Sequence, residues 1–316
     1  MNFFDEYTVL YSMPKKKALI LSIIIVLLII LVPLLAVLQS RSAAADDNDD
    51  FATSITVWQI DGFEGGRGSR SRYLQSAGEK CFDNEKIYVT VTPLSAEAAR
   101  VNIEQGTIPD IISYPAGFYG VENYVNRKDF TYKSWCRGGY CFLSLDTNAD
   151  FSDISSENTV INAGKGNLAK VTAALCGVGG AAVEEPTNAY LKLLGGDYKY
   201  LLGTQRDVFR LKTRNAAFTI KAVSEFNDLY QNISILASNG KKYNVCARFV
   251  NFLLENSGVD ALGLFHGGKV SVDELKPMAE VEFQYTLSYP CGKEYIGELN
   301  KAAEAGDINK IKNLLK

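Results

Sequence analysis

Residues 87–113 read IYVTVTPLSAEAARVNIEQGTIPDIIS, and these letters set the fold class. The first eight alternate and are rich in β-branched side chains, which suits a half-buried strand. Ser95 then offers a hydroxyl at an N-cap position, residues 96–105 are good helix formers, and Gly106 stops the run. Residues 108–113 are apolar and β-branched again, so a second strand follows. Upstream, SITVWQI at 54–60 is one more strand. A glycine-rich loop at 61–68 and a polar helix from about residue 69 to 80 separate it from residue 87. Strands alternating with helices at this spacing predict a parallel sheet, hence an α/β fold.

Downstream the alternation continues less regularly. Residues 118–134 are aromatic and irregular, 135–145 read as two short extended pieces around Gly138 and Gly139, and 146–167 are polar. Helices are predicted at 168–178 and 186–194, the second with Pro186 in its first turn and Gly195 and Gly196 at its end. Strands are predicted at 198–202, ending on Gly203 to Asp207, and at 218–223. Residues 246–255 place Phe249, Phe252 and Leu253 on one helical face. The tail, 293–316, is amphipathic and breaks near Gly306.

Before the folded part lies ALILSIIIVLLIILVPLLAVL, residues 18–38, uncharged and with Ser22 as its single polar side chain. As a helix it spans about 30 Å, the thickness of a bilayer core. Lys15, Lys16 and Lys17 precede it, and the acidic run Asp46, Asp47, Asp49 and Asp50 follows. The positive-inside bias puts residues 1–17 in the cytoplasm and the bulk of the chain outside, behind an acidic linker at 39–51. Ala43 and Ala45 have the small-x-small spacing of a signal-peptidase site, so Asp46 is an alternative mature start. The length of the apolar run favours an uncleaved transmembrane anchor in the cell membrane.

The inventory excludes most chemistry. The 316 residues carry a net charge of −3 with both signs mixed along the chain, which leaves no nucleic-acid footprint. A single histidine, His266, makes paired-histidine metal arrangements unavailable. Gly65 to Gly68 matches neither nucleotide-binding glycine pattern, so no cofactor and no metal are expected. Six cysteines are an even number for an oxidising compartment. Cys136 and Cys141 form a disulfide candidate only if the chain turns at Gly138 and Gly139, because full extension would hold their Cα atoms about 17 Å apart. What remains is the set of loops at the carboxyl ends of parallel strands, where open α/β sheets place ligands. Those at 61–67, 92–95 and 113–117 are aromatic or polar, a rim suited to a neutral polar ligand.

The order of these features resembles the extracellular solute-binding proteins of ABC importers, in the type whose best-known members bind maltose and other sugars. Four stretches carry the likeness: SITVWQIDGFEGG from Ser54, the helix followed by GTIPDIISY from Gly106, residues 186–206, and residues 239–265. The resemblance implies a two-lobed type 2 periplasmic-binding-protein fold preceded by one transmembrane helix. Lobe one would comprise 52–135 and 225–265, and lobe two 136–224 and 266–316, with crossovers at 135–145 and 225–235. It implies a monomeric binder, not an enzyme, that captures a small polar solute, expected to be a sugar, and hands it to an ABC permease. Position by position, it implies ligand contacts at Asp61, Phe63, Glu64, Arg67, Ser113, Tyr114, Trp135, Gln205, Arg206 and Tyr230. The alternatives are a sensory or adhesive ectodomain of the same fold and a surface glycoside hydrolase using Asp61 and Glu64.

Overall fold

The computed structural model describes residues 53–60, 69–119, 132–164, 167–237, 240–255, 258–259, 265–266, 273–287 and 291–316. The apolar run at 18–38 lies outside the described residues, among which no helix is long and apolar enough to cross a membrane. In chain order the first part is β1 (Thr53–Ile60), α1 (Ser69–Glu85), β2 (Ile87–Leu94), α2 (Ala96–Glu104), β3 (Ile111–Pro115) and β4 (Tyr132–Arg137). Next come β5 (Tyr140–Ser144), β6 (Thr159–Asn162), α3 (Ala169–Leu175), β7 (Ala182–Glu184), α4 (Pro186–Gly195), β8 (Tyr200–Thr204), α5 (Gln205–Thr213) and β9 (Thr219–Ala222). The chain then returns through β10 (Phe226–Asn227) and β11 (Tyr230–Ile235) to α6 (Gly240–Glu255), β12 (Gly258–Val259) and β13 (Phe265–His266). It ends with α7 (Lys276–Ala279), β14 (Tyr285–Thr286), α8 (Lys293–Glu304) and α9 (Ile308–Leu314).

The stretch at 87–113 folds as its letters predict. β2 lies parallel to β1 from Thr53 opposite Ile87 to Ile60 opposite Leu94, and β3 joins the other side of β1, also parallel. Ser95 caps α2 by accepting from the Ala98 backbone N–H at 3.1 Å, and Gly106 adopts φ +81° beyond its end. β3 starts at Ile111 rather than 108, because Pro109 has no N–H to give a ladder. Asp110 ties strands together instead. Its carboxylate accepts from the Thr56 backbone N–H at 2.8 Å and from the Thr56 hydroxyl at 3.0 Å, while its carbonyl accepts from Leu236 N at 2.7 Å.

The first sheet has seven strands in the order β12-β13-β4-β11-β3-β1-β2 and the second has five, β7-β6-β8-β5-β9. Within them, β2-β1-β3-β11-β4 and β7-β6-β8-β5-β9 follow one plan: a parallel trio, an antiparallel strand beside it, and a further strand on that strand's far side. Two crossovers join the sheets, β4 to β5 through Gly138 and Gly139, and β9 to β11 through residues 223–229. An apolar cluster runs without a break from Ile55 and Leu74 through Trp135, Tyr140 and Leu229 to Ile161 and Tyr200, so the core continues across the crossovers. α8 and α9 pack on α3 of the five-stranded side through Leu299, Ala302 and Ile311.

Three elements differ from the sequence reading. The polar stretch at 146–167 contains β6, fully buried between β7 and β8. Four residues, Thr-Val-Ile-Asn, are too few to show a period, and burial on both faces removes the alternation. β7 is shorter still. Residues 205–207 do not form a strand-end loop: Thr204 ends β8 and caps α5 at once, with Asp207 completing a capping box. Cys136 and Cys141 are thiols rather than a disulfide, one in each sheet. The chain passes from one sheet to the other between them with no turn at Gly138 and Gly139, so the condition for a bridge is not met.

Candidate ligand-binding site

Strand register fixes where the functional ends lie. Pro115, at the carboxyl end of β3, pairs with Gln231 at the start of β11, and Arg137 at the end of β4 pairs with Tyr230. On the other sheet, Thr204 at the carboxyl end of β8 pairs with Tyr140 at the start of β5. Both parallel trios therefore turn their carboxyl ends toward the crossovers, and polar side chains collect there.

On the seven-stranded side the polar group is built around Ser113. Its Oγ accepts from Trp135 Nε1 at 2.8 Å and from Gln231 Nε2 at 3.1 Å. Gln231 Nε2 also donates to the carbonyl of Ile60 at 3.0 Å, and Gln59 Nε2 donates to the same carbonyl at 3.2 Å. Trp135 stacks on Tyr73 of α1, ring centroids 5.6 Å apart. Ser113, Gln59 and Gln231 are fully buried, and Gln231 Oε1 finds no hydrogen-bond partner among the described residues. A buried amide oxygen left open in this way costs free energy unless something donates to it.

On the five-stranded side, Asn162 at the end of β6 donates from Nδ2 to Asp207 Oδ2 at 2.7 Å, and the Thr204 backbone N–H donates to the same oxygen at 3.0 Å. Burial pushes the Asp207 carboxyl up, against those two hydrogen bonds. Gln205 clasps the first crossover: its Oε1 accepts from Gly139 N at 2.9 Å, and its own N–H donates to the Gly139 carbonyl at 3.1 Å. A Cβ at Gly138 would run into the Gln205 amide, so a larger residue there must displace the clasp. Arg137 donates to the Ala279 carbonyl and lies over the Phe283 ring, and burial lowers its pKa.

The sequence-predicted residues fall into three groups. Asp61, Phe63, Glu64 and Arg67 lie outside the described residues. Ser113 and Trp135 come together in the buried network, and Gln205 and Tyr230 stand at the crossovers, where Tyr230 O accepts from Ala116 N at 3.0 Å. Burial pushes the Tyr230 phenol up. Tyr114 and Arg206 lie elsewhere: Tyr114 is fully buried on the opposite face of β3 from Ser113, its hydroxyl 2.8 Å from Ser234 Oγ, and Arg206 is half-buried in the first turn of α5. Gln231, which the resemblance places beside Tyr230 in the second crossover, joins the buried network, and the site-residue prediction passed over Asp228. Its signal was present in FNDLYQNISI (226–235), where a carboxylate interrupts an apolar strand.

No family model matches this chain, and no curated protein matches it. Among solved structures, it is similar to iron-bound HitA from Pseudomonas aeruginosa at 12% identity and a TM-score of 0.47, over 83% of this chain and 99% of that one. It is also similar to an ABC transporter substrate-binding protein from Bradyrhizobium japonicum (13%, TM-score 0.43, 64% and 78%). A third likeness is to the reduced OxyR regulatory domain from Pseudomonas aeruginosa (11%, TM-score 0.39, 64% and 97%). At such identities and TM-scores, the ligands and roles of those proteins are theirs alone.

Proposed function

We propose that this chain is the extracytoplasmic solute-binding protein of an ABC-type importer, tethered to the cell membrane by residues 18–38, and that it works as a monomer. The observation that carries the reading is the repeated strand plan: two sheets of the same order, joined by two crossovers, with the carboxyl ends of both parallel trios at the junction. That architecture supports a solute held between two lobes that close by bending at the crossovers. The open acceptor on Gln231 favours a solute that brings donors, as the hydroxyls of a carbohydrate do.

Thermal unfolding of the full chain in detergent, with mono- and oligosaccharides, amino acids, polyamines and oxyanions as probes, tests this reading. A true solute at 100 times its dissociation constant adds about 2.7 kcal/mol of stability, with no turnover of the probe. A panel that leaves the transition unmoved overturns the binding role, and product formation from a glycan would replace it with a hydrolase.

A further inference from the structure

The second crossover carries two carboxylates, Glu225 and Asp228, and the buried one is not called on by ligand binding. Asp228 is 4% exposed and lies between β10 and β11. Its Oδ1 accepts from the Tyr140 hydroxyl at 2.7 Å and its Oδ2 accepts from the backbone N–H of Leu168 at 2.8 Å. Tyr140 is the first residue past the other crossover, and Leu168 is the residue from which α3 starts. One carboxyl group therefore fastens the second crossover to the first and to the five-stranded lobe.

The rest of the fastening does not titrate. Asn227 Nδ2 donates to the Gly138 carbonyl at 3.2 Å, and Gly138 N donates to the Leu229 carbonyl at 2.6 Å. The titratable groups that bear on Asp228 are Tyr140, which donates to it, and Tyr230, whose phenol interacts with both Asp228 and Arg137. Burial pushes the Asp228 carboxyl up to about 6, outweighing the hydrogen bonds that favour its charge.

We propose that Asp228 is a protonation-dependent latch on the hinge, whose neutral form holds the two crossovers in the arrangement described and whose ionised form favours their separation. Any rotation that draws the carboxyl away from Tyr140 and Leu168 delivers it to water, where its pKa returns to an ordinary carboxylate value. The arrangement with the higher pKa is the one that protons favour, so lowering the pH from 7 to 5 tightens the latch roughly tenfold. The neutral acid keeps the Leu168 contact, Oδ2 still accepting from that backbone N–H. As regulation of solute capture, the latch rests on the binding role above; as a property of the hinge it does not.

Hydrogen exchange of the full chain in detergent without solute, read at pH 5, 6 and 7 and corrected for intrinsic amide rates, tests it. Protection at Leu168 and across residues 138–141 should fall together about tenfold from pH 5 to pH 7. Asp228→Asn, which donates to Tyr140 and accepts from Leu168 without titrating, should stay protected at all three values. Tyr140→Phe removes a donor that favours the charged form, so the midpoint should move to higher pH. A flat wild-type profile, or an Asp228→Asn profile as steep as wild type, overturns the latch. If Asp228→Asn does not fold, equal midpoints for wild type and Tyr140→Phe overturn it. With no solute present, the exchange profile can fail while binding stands, and a failed solute screen leaves it unchanged.

Discussion

The two sheets share a five-strand plan but differ in the connections that follow β1 and β3 on one side and β8 on the other. On the seven-stranded side, eight residues (61–68) separate β1 from α1, and residues 116–131 follow β3 before the chain reaches β4. On the five-stranded side, β8 passes into α5 with no intervening residue, and Thr204 serves both elements. The seven-stranded side thus carries its longest connections after β1 and β3, and the five-stranded side closes β8 with a helix start and the buried side chains Asn162 and Asp207.

The comparison breaks if the lobes are energetically separate. Phe249 is fully buried on α6, in the cluster that crosses to Ile161 and Tyr200. Phe249→Ala should cost about 3–5 kcal/mol, and one cooperative transition should carry both lobes with it. Denaturant unfolding, followed by tryptophan fluorescence and by exchange at Leu201 and Leu202, would show the two signals moving together. A five-stranded lobe that keeps its wild-type midpoint would refute the shared core.

The next effect is at the junction. Gly138→Ala pushes a methyl group into the Gln205 amide that clasps Gly139. About 1–3 kcal/mol should be lost, with protection falling at the crossover rather than in either sheet. Gly117→Ala, where a Cβ meets nothing within 4 Å, is the control and should unfold as wild type does.

A smaller effect tests the helix start that closes β8. Asp207 has its pKa raised by burial. Its contribution to stability is present below the ordinary carboxylate value and is lost as pH rises through the raised one. Asp207→Asn keeps an oxygen for Asn162 and Thr204 and removes the charge, so it should change stability at neutral pH by about 1 kcal/mol or less. It should also flatten the dependence between acidic and neutral pH. An unchanged pH slope would remove Asp207 from the account of that helix start.

Legibility in the sequence follows the same division. β1, β2, α2 and β3 could be read because period, cap and stop agree within a few residues: alternation at 87–94, Ser95, Gly106. β6 and α5 could not, because a four-residue buried strand has no period and a capping box at Thr204 looks like a polar loop. For the site, the resemblance to solute-binding proteins pointed to Ser113, Trp135 and Gln205, which lie where the two sheets join. It could not say that Ser113 and Trp135 would bond each other, or that Gln205 would spend its amide on Gly139. Hydrogen-bond closure is a tertiary fact, set by which strands end side by side.

The smallest expected effect concerns the tail, which belongs to the five-stranded side by packing rather than by charge. Lys170 on α3 meets Glu304 on α8 at 3.0 Å, but the two side chains are 41% and 59% exposed. An exposed pair gains little Coulomb energy in water and gives up side-chain entropy, so Lys170→Ala should cost about 0.5 kcal/mol or less. Leu299 and Ile311 are fully buried against the same lobe. Leu299→Ala should cost about 2–5 kcal/mol and strip protection from α8 and α9 together. If Lys170→Ala, measured by denaturant unfolding at low and at high salt, released the tail while Leu299→Ala left it docked, charge and not apolar burial would hold the chain's end.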